Sequence, residues 1–300
     1  MPRRPTIGVF DSGFGGLTVL KQLIKLIPAA DYLYFGDTAR LPYGSKSAET
    51  VARYAVQATR FLEGKGAKFL VIACNTATAL ALPEIIAASS VPVVGVVEPG
   101  AQHAAQHSRA RKVVVIGTEA TVASHAYRHA LETRGIQAHE KACPLLVPLV
   151  EEGWIDHPVT EQVASIYLAE AFAAGFHDAD VLVLGCTHYP LLQPLLARVA
   201  PKTAKIVDSA HSTAEFVAAQ LPPPQPARAV PAILPPPGEA DAAASTLKTA
   251  AAIALAADVE RRGPTRMRFF ATDSVEKFQH LGAKFLGYRV RDVQHVDLKE

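Results

Sequence analysis

The chain has 300 residues, 49% of them apolar and 19% charged, with a net charge of +2. That is enough apolar chain for two domains or one large one, and the small net charge points away from nucleic acid and anionic membranes as partners. No apolar run reaches the length of a membrane span, and the three cysteines suit reduced thiols in a cytoplasmic enzyme rather than a disulfide framework. The apolar run after Arg3-Arg4 stops at Asp11, too soon for an export signal. With no CxxC and no dense His/Cys cluster, zinc is not expected.

Thr6–Phe10 reads as a strand, followed by the Gly-rich turn DSGFGG and a helix through Leu26. Asp31–Phe35 predicts a second strand, with a polar loop after it and a helix over Ala48–Glu63 closed by Gly64 and Gly66. Phe69–Ala73 is a third strand, and Val91–Val97 a fourth, with Pro92 near its first position, where a strand tolerates it. Lys112–Ile116, Leu145–Val150, Val181–Leu184 and Lys205–Val207 continue the series. Short apolar runs with little polar alternation predict parallel sheets covered on both faces, and their alternation with helices predicts α/β architecture. Pro222–Pro237 reads as an extended linker and Ala240–Asp258 as a surface helix or partly ordered insert. Arg266–Gly287 reads as strand, cap and amphipathic helix.

Two cysteines 112 positions apart sit in matched settings, Cys74 in VIACNTATALALP and Cys186 in VLVLGCTHYPLLQP. The opening TIGVFDSG also matches VVVIGTEA in pattern, with Asp11-Ser12 opposite Gly117-Thr118 at an offset of 106. Two matches with similar offsets predict a duplicated half. We therefore expect two pseudo-symmetric α/β domains, each a mostly parallel sheet flanked by helices, with the active site between them. The first would hold 1–98 plus 209–300, with a Pro/Ala-rich insert at 222–265, and the second 99–208. The chain would cross near Glu98-Pro99-Gly100 and return near Asp208-Ser209-Ala210.

Each cysteine would then stand at the end of a parallel strand. A thiol has a reference pKa of roughly 8.5, within reach of neutrality, so its thiolate can act as a base and its thiol as an acid. Two thiols facing one carbon from opposite sides suit removal of a proton from one face and its return to the other. A strand end that leads into a helix offers free backbone N–H groups to an anion and would depress the thiol pKa. Asn75-Thr76 and Thr187-His188 add polar groups beside the two sulfurs, and His188 could tune Cys186. A lone cysteine is more simply a small buried hydrophobe. We assign that role to Cys143, whose surroundings, ACPLLVP, are apolar and Pro-rich.

Other candidates have plainer readings beside them. Asp11 would lie at a strand's carboxyl end, where open α/β sheets place ligands, or would only cap the helix. GFGG lacks the spacing of a dinucleotide fingerprint, so nucleotide binding is not expected. Tyr43-Gly44 could offer a hydroxyl and a backbone N–H to a carboxylate, or form a turn with a packed ring. One of Glu151 and Glu152 could enter the site and assist His188, or both could be solvated acids starting a helix.

Taken together, IGVFDSGFGGLTVL, YFGDTARLPYGSKS, VIACNTATA, GVVEPGA, IGTEATVASHAY, CPLLVPLVEEGW, LGCTHYPLL and VDSA resemble the glutamate racemases of the aspartate/glutamate racemase family. The resemblance covers about Thr6–Ala210 and resumes at Arg266–Gly287. It implies cofactor-independent interconversion of L- and D-glutamate, supplying D-glutamate for peptidoglycan, with neither pyridoxal phosphate nor metal. It implies that Cys74 deprotonates D-glutamate and Cys186 L-glutamate, with Asp11 supporting the Cys74 side and Glu151 and His188 the Cys186 side. Substrate contacts would fall on Asp11, Ser12, Tyr43, Gly44, Asn75, Thr76, Thr187 and His188. A homodimer is frequent in the family, and some members are thought to restrain DNA gyrase. The stretch Pro222–Thr265 departs from the family by its length. Two alternatives stand beside this reading: an aspartate racemase of the same architecture, and a Cys186/His188 hydrolase, which leaves Cys74 unexplained.

Overall fold

A computed structural model describes residues 4–173, 175–221 and 265–298. The linker and insert readings of 222–264 lie outside these residues. Among the described residues, ten strands form two sheets, and every strand pair in both is parallel. The first sheet contains β1 (Thr6–Asp11), β2 (Asp31–Gly36), β3 (Phe69–Ile72), β4 (Val93–Gly95), β9 (Met267–Ala271) and β10 (Val293–His295), in the order β10-β9-β2-β1-β3-β4. The second contains β5 (Lys112–Gly117), β6 (Gln137–Ala142), β7 (Val181–Gly185) and β8 (Lys205–Asp208), in the order β6-β5-β7-β8.

The helices among the described residues are α1 (Leu17–Leu26), α2 (Ala48–Gly64), α3 (Asn75–Ala88), α4 (Val97–His107), α5 (Glu119–Ala123), α6 (Ala126–Glu132), α7 (Leu146–Glu151), α8 (Pro158–Ala171), α9 (Gln193–Val199), α10 (Ser209–Gln220) and α11 (Val275–Leu286). Strands β3 and β7, FLVI and VLVLG, are buried along their whole length because helices cover both faces of each sheet.

The duplication is visible in strand order, since β2-β1-β3-β4 and β6-β5-β7-β8 follow the same path. It is visible in spacing too. Thr6 and Lys112, and Asp31 and Gln137, open matching strands 106 apart, while Phe69 and Val181, and Val93 and Lys205, do so 112 apart. One buried apolar cluster runs through both sheets, from Ile7 and Val9 on β1 to Leu182 and Leu184 on β7.

Three sequence expectations change. Leu145–Val150 is not a strand. Leu146 and Val150, four apart, are buried while Leu145 is exposed, which is the one-sided burial of a helix, and the segment forms α7. A short apolar run cannot by itself separate the two. The strand beside β5 is instead β6, QAHEKA, an edge strand with an alternating pattern. The fourth strand is shorter than Val91–Val97, because Val97 already opens α4 and Glu98-Pro99-Gly100 lie in its first turn, where proline costs little.

Candidate active site

A cleft of about 350 Å³ opens at the carboxyl ends of both sheets. Its wall takes Ser12 and Gly13 after β1, Leu41–Ser45 after β2, and Cys74, Asn75 and Thr76 after β3. Opposite them stand Thr118 and Glu119 after β5, Pro144, Val147, Pro148, Glu151 and Glu152 after β6, and Cys186, Thr187 and His188 after β7. The two cysteines thus line one cavity from the ends of equivalent strands.

Cys74 is the N-cap of α3, and its sulfur accepts from Ala77 N–H at 3.4 Å. The thiol lies 3.4 Å from Ser12 Oγ, to which it donates. Here the expected depression by the helix N-terminus loses to its surroundings. Burial first, and the Asp11 charge second, push the thiol up to about 12, against the pull of the Ser12 and Ala77 hydrogen bonds.

On the other side the sulfur has a different neighbourhood. After Cys186 the chain makes a short 3-10 turn, Tyr189–Leu192, before α9. The Cys186 sulfur faces His188 Nδ1 at 4.0 Å, and His188 Nε2 donates to Glu151 Oε1 at 3.2 Å. Burial disfavours the imidazolium, yet contacts to Cys186 and Glu151 outweigh it and push His188 up to about 10. Burial likewise works against the Glu151 carboxylate, but the His188 hydrogen bond and charge and the Lys277 ammonium hold its pKa below the usual range. Sulfur, imidazole and carboxylate therefore form a row able to hold and pass a proton.

Asp11 is fully buried behind the cleft wall. Its Oδ2 accepts from Gly13 N–H at 2.9 Å and its Oδ1 from Thr187 Oγ1 at 3.4 Å. Burial raises its carboxyl pKa, opposed by the His188 charge and by Gly16 and Gly13 N–H groups. It is hydrogen-bonded to the loop that carries Cys186 while its charge also acts on Cys74.

Tyr43 lines the cleft, but its hydroxyl donates to Asp37 in a short hydrogen bond, so that proton is committed. Asp37 is also held by Arg40 Nε at 2.7 and 2.9 Å and by Thr272 Oγ1 at 2.9 Å. Asn75 accepts from Tyr127 OH at 2.7 Å and donates to Ser209 Oγ at 3.4 Å, which leaves one amide hydrogen for a ligand. Thr76 Oγ1 shares hydrogen bonds with Thr118 and Thr121 Oγ1 at 2.9 and 3.2 Å, across the cleft. Thr118, the counterpart of Ser12 at the offset of 106, lines the cleft as well, beyond the substrate contacts expected from the sequence. Cys143 is buried in the apolar core, and its sulfur donates to the Lys141 carbonyl at 3.6 Å.

The family described as Asp/Glu/hydantoin racemase matches residues 7–217. A glutamate racemase from Koribacter versatilis is 60% identical over 298 residues, covering 99% of this chain and 98% of that protein. The crystal structure of a glutamate racemase isoform from Bacillus anthracis superposes with a TM-score of 0.79 at 33% identity, covering 98% of each chain. A glutamate racemase from Francisella tularensis, solved in complex with D-glutamate, superposes with a TM-score of 0.78 at 30% identity and covers 99% of each chain.

Proposed function

We propose, from the premise that this chain belongs to the Asp/Glu/hydantoin racemase family, that it is a glutamate racemase working with two thiols. The observation that carries the mechanism is the placement of Cys74 and Cys186 at the ends of β3 and β7 on one cleft. In the L-to-D direction, Cys186 as thiolate takes the α-proton of L-glutamate, forming an S–H bond while the C–H electron pair stays on the substrate. The Cys74 thiol then gives its proton to the opposite face, leaving a thiolate. The reverse direction exchanges the two roles.

The charge that develops on the substrate carboxylate needs donors aimed at it. The N-terminal turn of α3, the free Asn75 amide hydrogen and the Thr76 hydroxyl supply them on the Cys74 side. Backbone groups of Tyr43-Gly44 and of Thr187, with the Ser12 hydroxyl, complete the substrate contacts. Asp11 acts on the Cys74 thiol through its charge, and the Glu151–His188 pair stands beside the Cys186 sulfur to receive or return a proton. D-glutamate made here serves peptidoglycan synthesis. We infer that the two domains divide at 98/99 and 208/209, since β9 and β10, with α11 between them, return the chain to the first sheet. Three free thiols accord with a cytoplasmic location, and among the described residues no helix is long and apolar enough to cross a membrane. A homodimer is tested by sedimentation, and a gyrase contact by inhibition that persists in a Cys74→Ser/Cys186→Ser protein.

The Cys186–His188–Glu151 row is also what a cysteine hydrolase would use, but that reading gives Cys74 no task. The substrate is tested by circular dichroism of L-glutamate and of L-aspartate with the purified protein and no added cofactor. Decay of the glutamate signal is the expected result. Decay of the aspartate signal alone moves the substrate, and decay of neither removes the racemase reading.

A further inference from the structure

We infer that Lys277 is a positioning residue for the Cys186 half of the reaction, fixing the Glu151 carboxylate that holds His188 against the thiol. The inference rests on the two-thiol reading above.

Lys277 lies on α11, which follows β9 of the first sheet, whereas Glu151 ends α7 beside the second. Its Nζ stands 3.5 Å from Glu151 Oε2, while His188 takes the other oxygen, Oε1, at 3.2 Å. The carboxylate is thus divided between one partner inside the site and one from the opposite sheet's helix. The Glu151 side chain is 16% exposed and that of Lys277 52%, so the ammonium approaches from the solvent side and has its effect on the thiol only through Glu151 and His188.

The seat of the ammonium is built. Lys277 Nζ lies 5.6 Å from the centroid of the Phe14 ring, itself buried in the Gly-rich turn after β1. Two helical turns on, Lys284 Nζ comes within 3.0 Å of the point where a side chain on Gly153 would begin. Phe285 packs edge-on against the His188 ring, with centroids 5.3 Å apart. One face of α11 therefore covers the end of α7 and the outer side of the imidazole. Without the Lys277 charge, Glu151 keeps, among the described residues, only His188 as its ionic partner and is free to turn toward water, which loosens the imidazole beside Cys186.

The test uses the equal energies of the two enantiomers. The racemisation equilibrium constant is one, so any variant must lower kcat/KM equally in both directions, and that ratio cannot locate the defect. The deuterium isotope effect can. If the Cys186 step becomes more limiting, the effect on kcat/KM rises with α-deuterated L-glutamate, whose proton Cys186 removes, and falls with α-deuterated D-glutamate. Lys277→Met is expected to lower kcat/KM roughly two- to fivefold, the size a half-exposed ion pair carries, with this opposed change in isotope effects, and Lys277→Arg to restore both. Lys284→Met removes a charge from the same helix face and is expected to leave the isotope effects at wild-type values. Unchanged isotope effects in Lys277→Met, a rise on the D side, or the same change in Lys284→Met would overturn the inference. Cys186→Ser in the same assay separates the two levels: if it retains turnover, the two-thiol reading fails; if it is inactive while Lys277→Met behaves as wild type, the Lys277 inference alone fails.

Discussion

Gly15 and Thr187 approach so closely that a Cβ on Gly15 would lie 2.2 Å from Thr187 Oγ1, and 2.6 Å from His188 Nδ1. The Gly-rich turn of the first sheet is thereby pressed onto the loop that carries Cys186. Thr18 Oγ1 adds a hydrogen bond to the Thr187 carbonyl at 3.1 Å, and Thr187 Oγ1 reaches Asp11. The missing side chain at Gly15 serves this contact rather than a phosphate.

Gly15→Ala should therefore both destabilise the fold and damage the site. Thr187 is held by Asp11 and by Thr18, so it has little room to yield, and overpacking of this kind costs about 1–3 kcal/mol. Urea unfolding should show the loss, and kcat should fall with it as His188 is displaced. Unchanged stability and turnover would mean that the turn moves away without cost.

Replacing Glu151 should change how stability depends on pH. His188 is raised from 6.5 to about 10 in the fold, so the folded protein binds more protons than the unfolded chain between those values. The stabilisation is present in full below about 6.5 and is lost as pH rises through about 10. Glu151→Gln removes one group that raises His188, which should narrow this window from its alkaline end. Unfolding free energies measured from pH 6 to 10.5 check the point. An unchanged slope would mean that the Cys186 contact alone holds the imidazolium.

Cys74 should alkylate slowly at neutral pH, since burial and the Asp11 charge hold it as a thiol up to about 12. Asp11→Asn removes the second of these causes and should raise the Cys74 thiolate fraction at any given pH. Rates of iodoacetamide modification at Cys74, followed by mass spectrometry across pH 7–10, provide the measurement. No acceleration in Asp11→Asn would place the whole shift in burial.

The Tyr43 hydroxyl is committed to Asp37 rather than to the cleft. Tyr43→Phe should lower stability by about 1–3 kcal/mol, the cost of removing a partner from a buried polar group, and leave kcat within a few-fold of wild type. A collapse of kcat at unchanged stability would show that the hydroxyl acts on the substrate instead.

The parts of the fold that could be read from sequence are those whose burial is expressed as composition. Strands β1, β3, β5 and β7 are apolar runs because helices cover both sides of the sheet, and the cysteine settings repeat because the strands do. Strand β6 escaped because an edge position lets Gln137, His139 and Lys141 alternate with buried residues. The offset of 106 that pairs β1 with β5 would have located it from Asp31. The run at Leu145–Val150 misled because five of its six residues are apolar whichever element they form. Within the site, Cys74, Cys186 and His188 carry their polar neighbours in the adjacent sequence. Thr121, which meets Thr76 across the cleft, and Lys277, which reaches Glu151, depend on contacts between distant segments that no local pattern records.

The most direct test of the two-thiol account is proton NMR of L-glutamate and of D-glutamate in D2O with the wild-type protein, Cys74→Ser and Cys186→Ser, each run without cofactor. Serine keeps the shape but is a far poorer base near neutrality, and a positioned acid–base group contributes on the order of 10²–10⁴-fold. The account predicts loss of the α-proton signal from both enantiomers with the wild-type protein, and a fall in racemisation of that order in each variant. Turnover near the wild-type rate in either variant would contradict it.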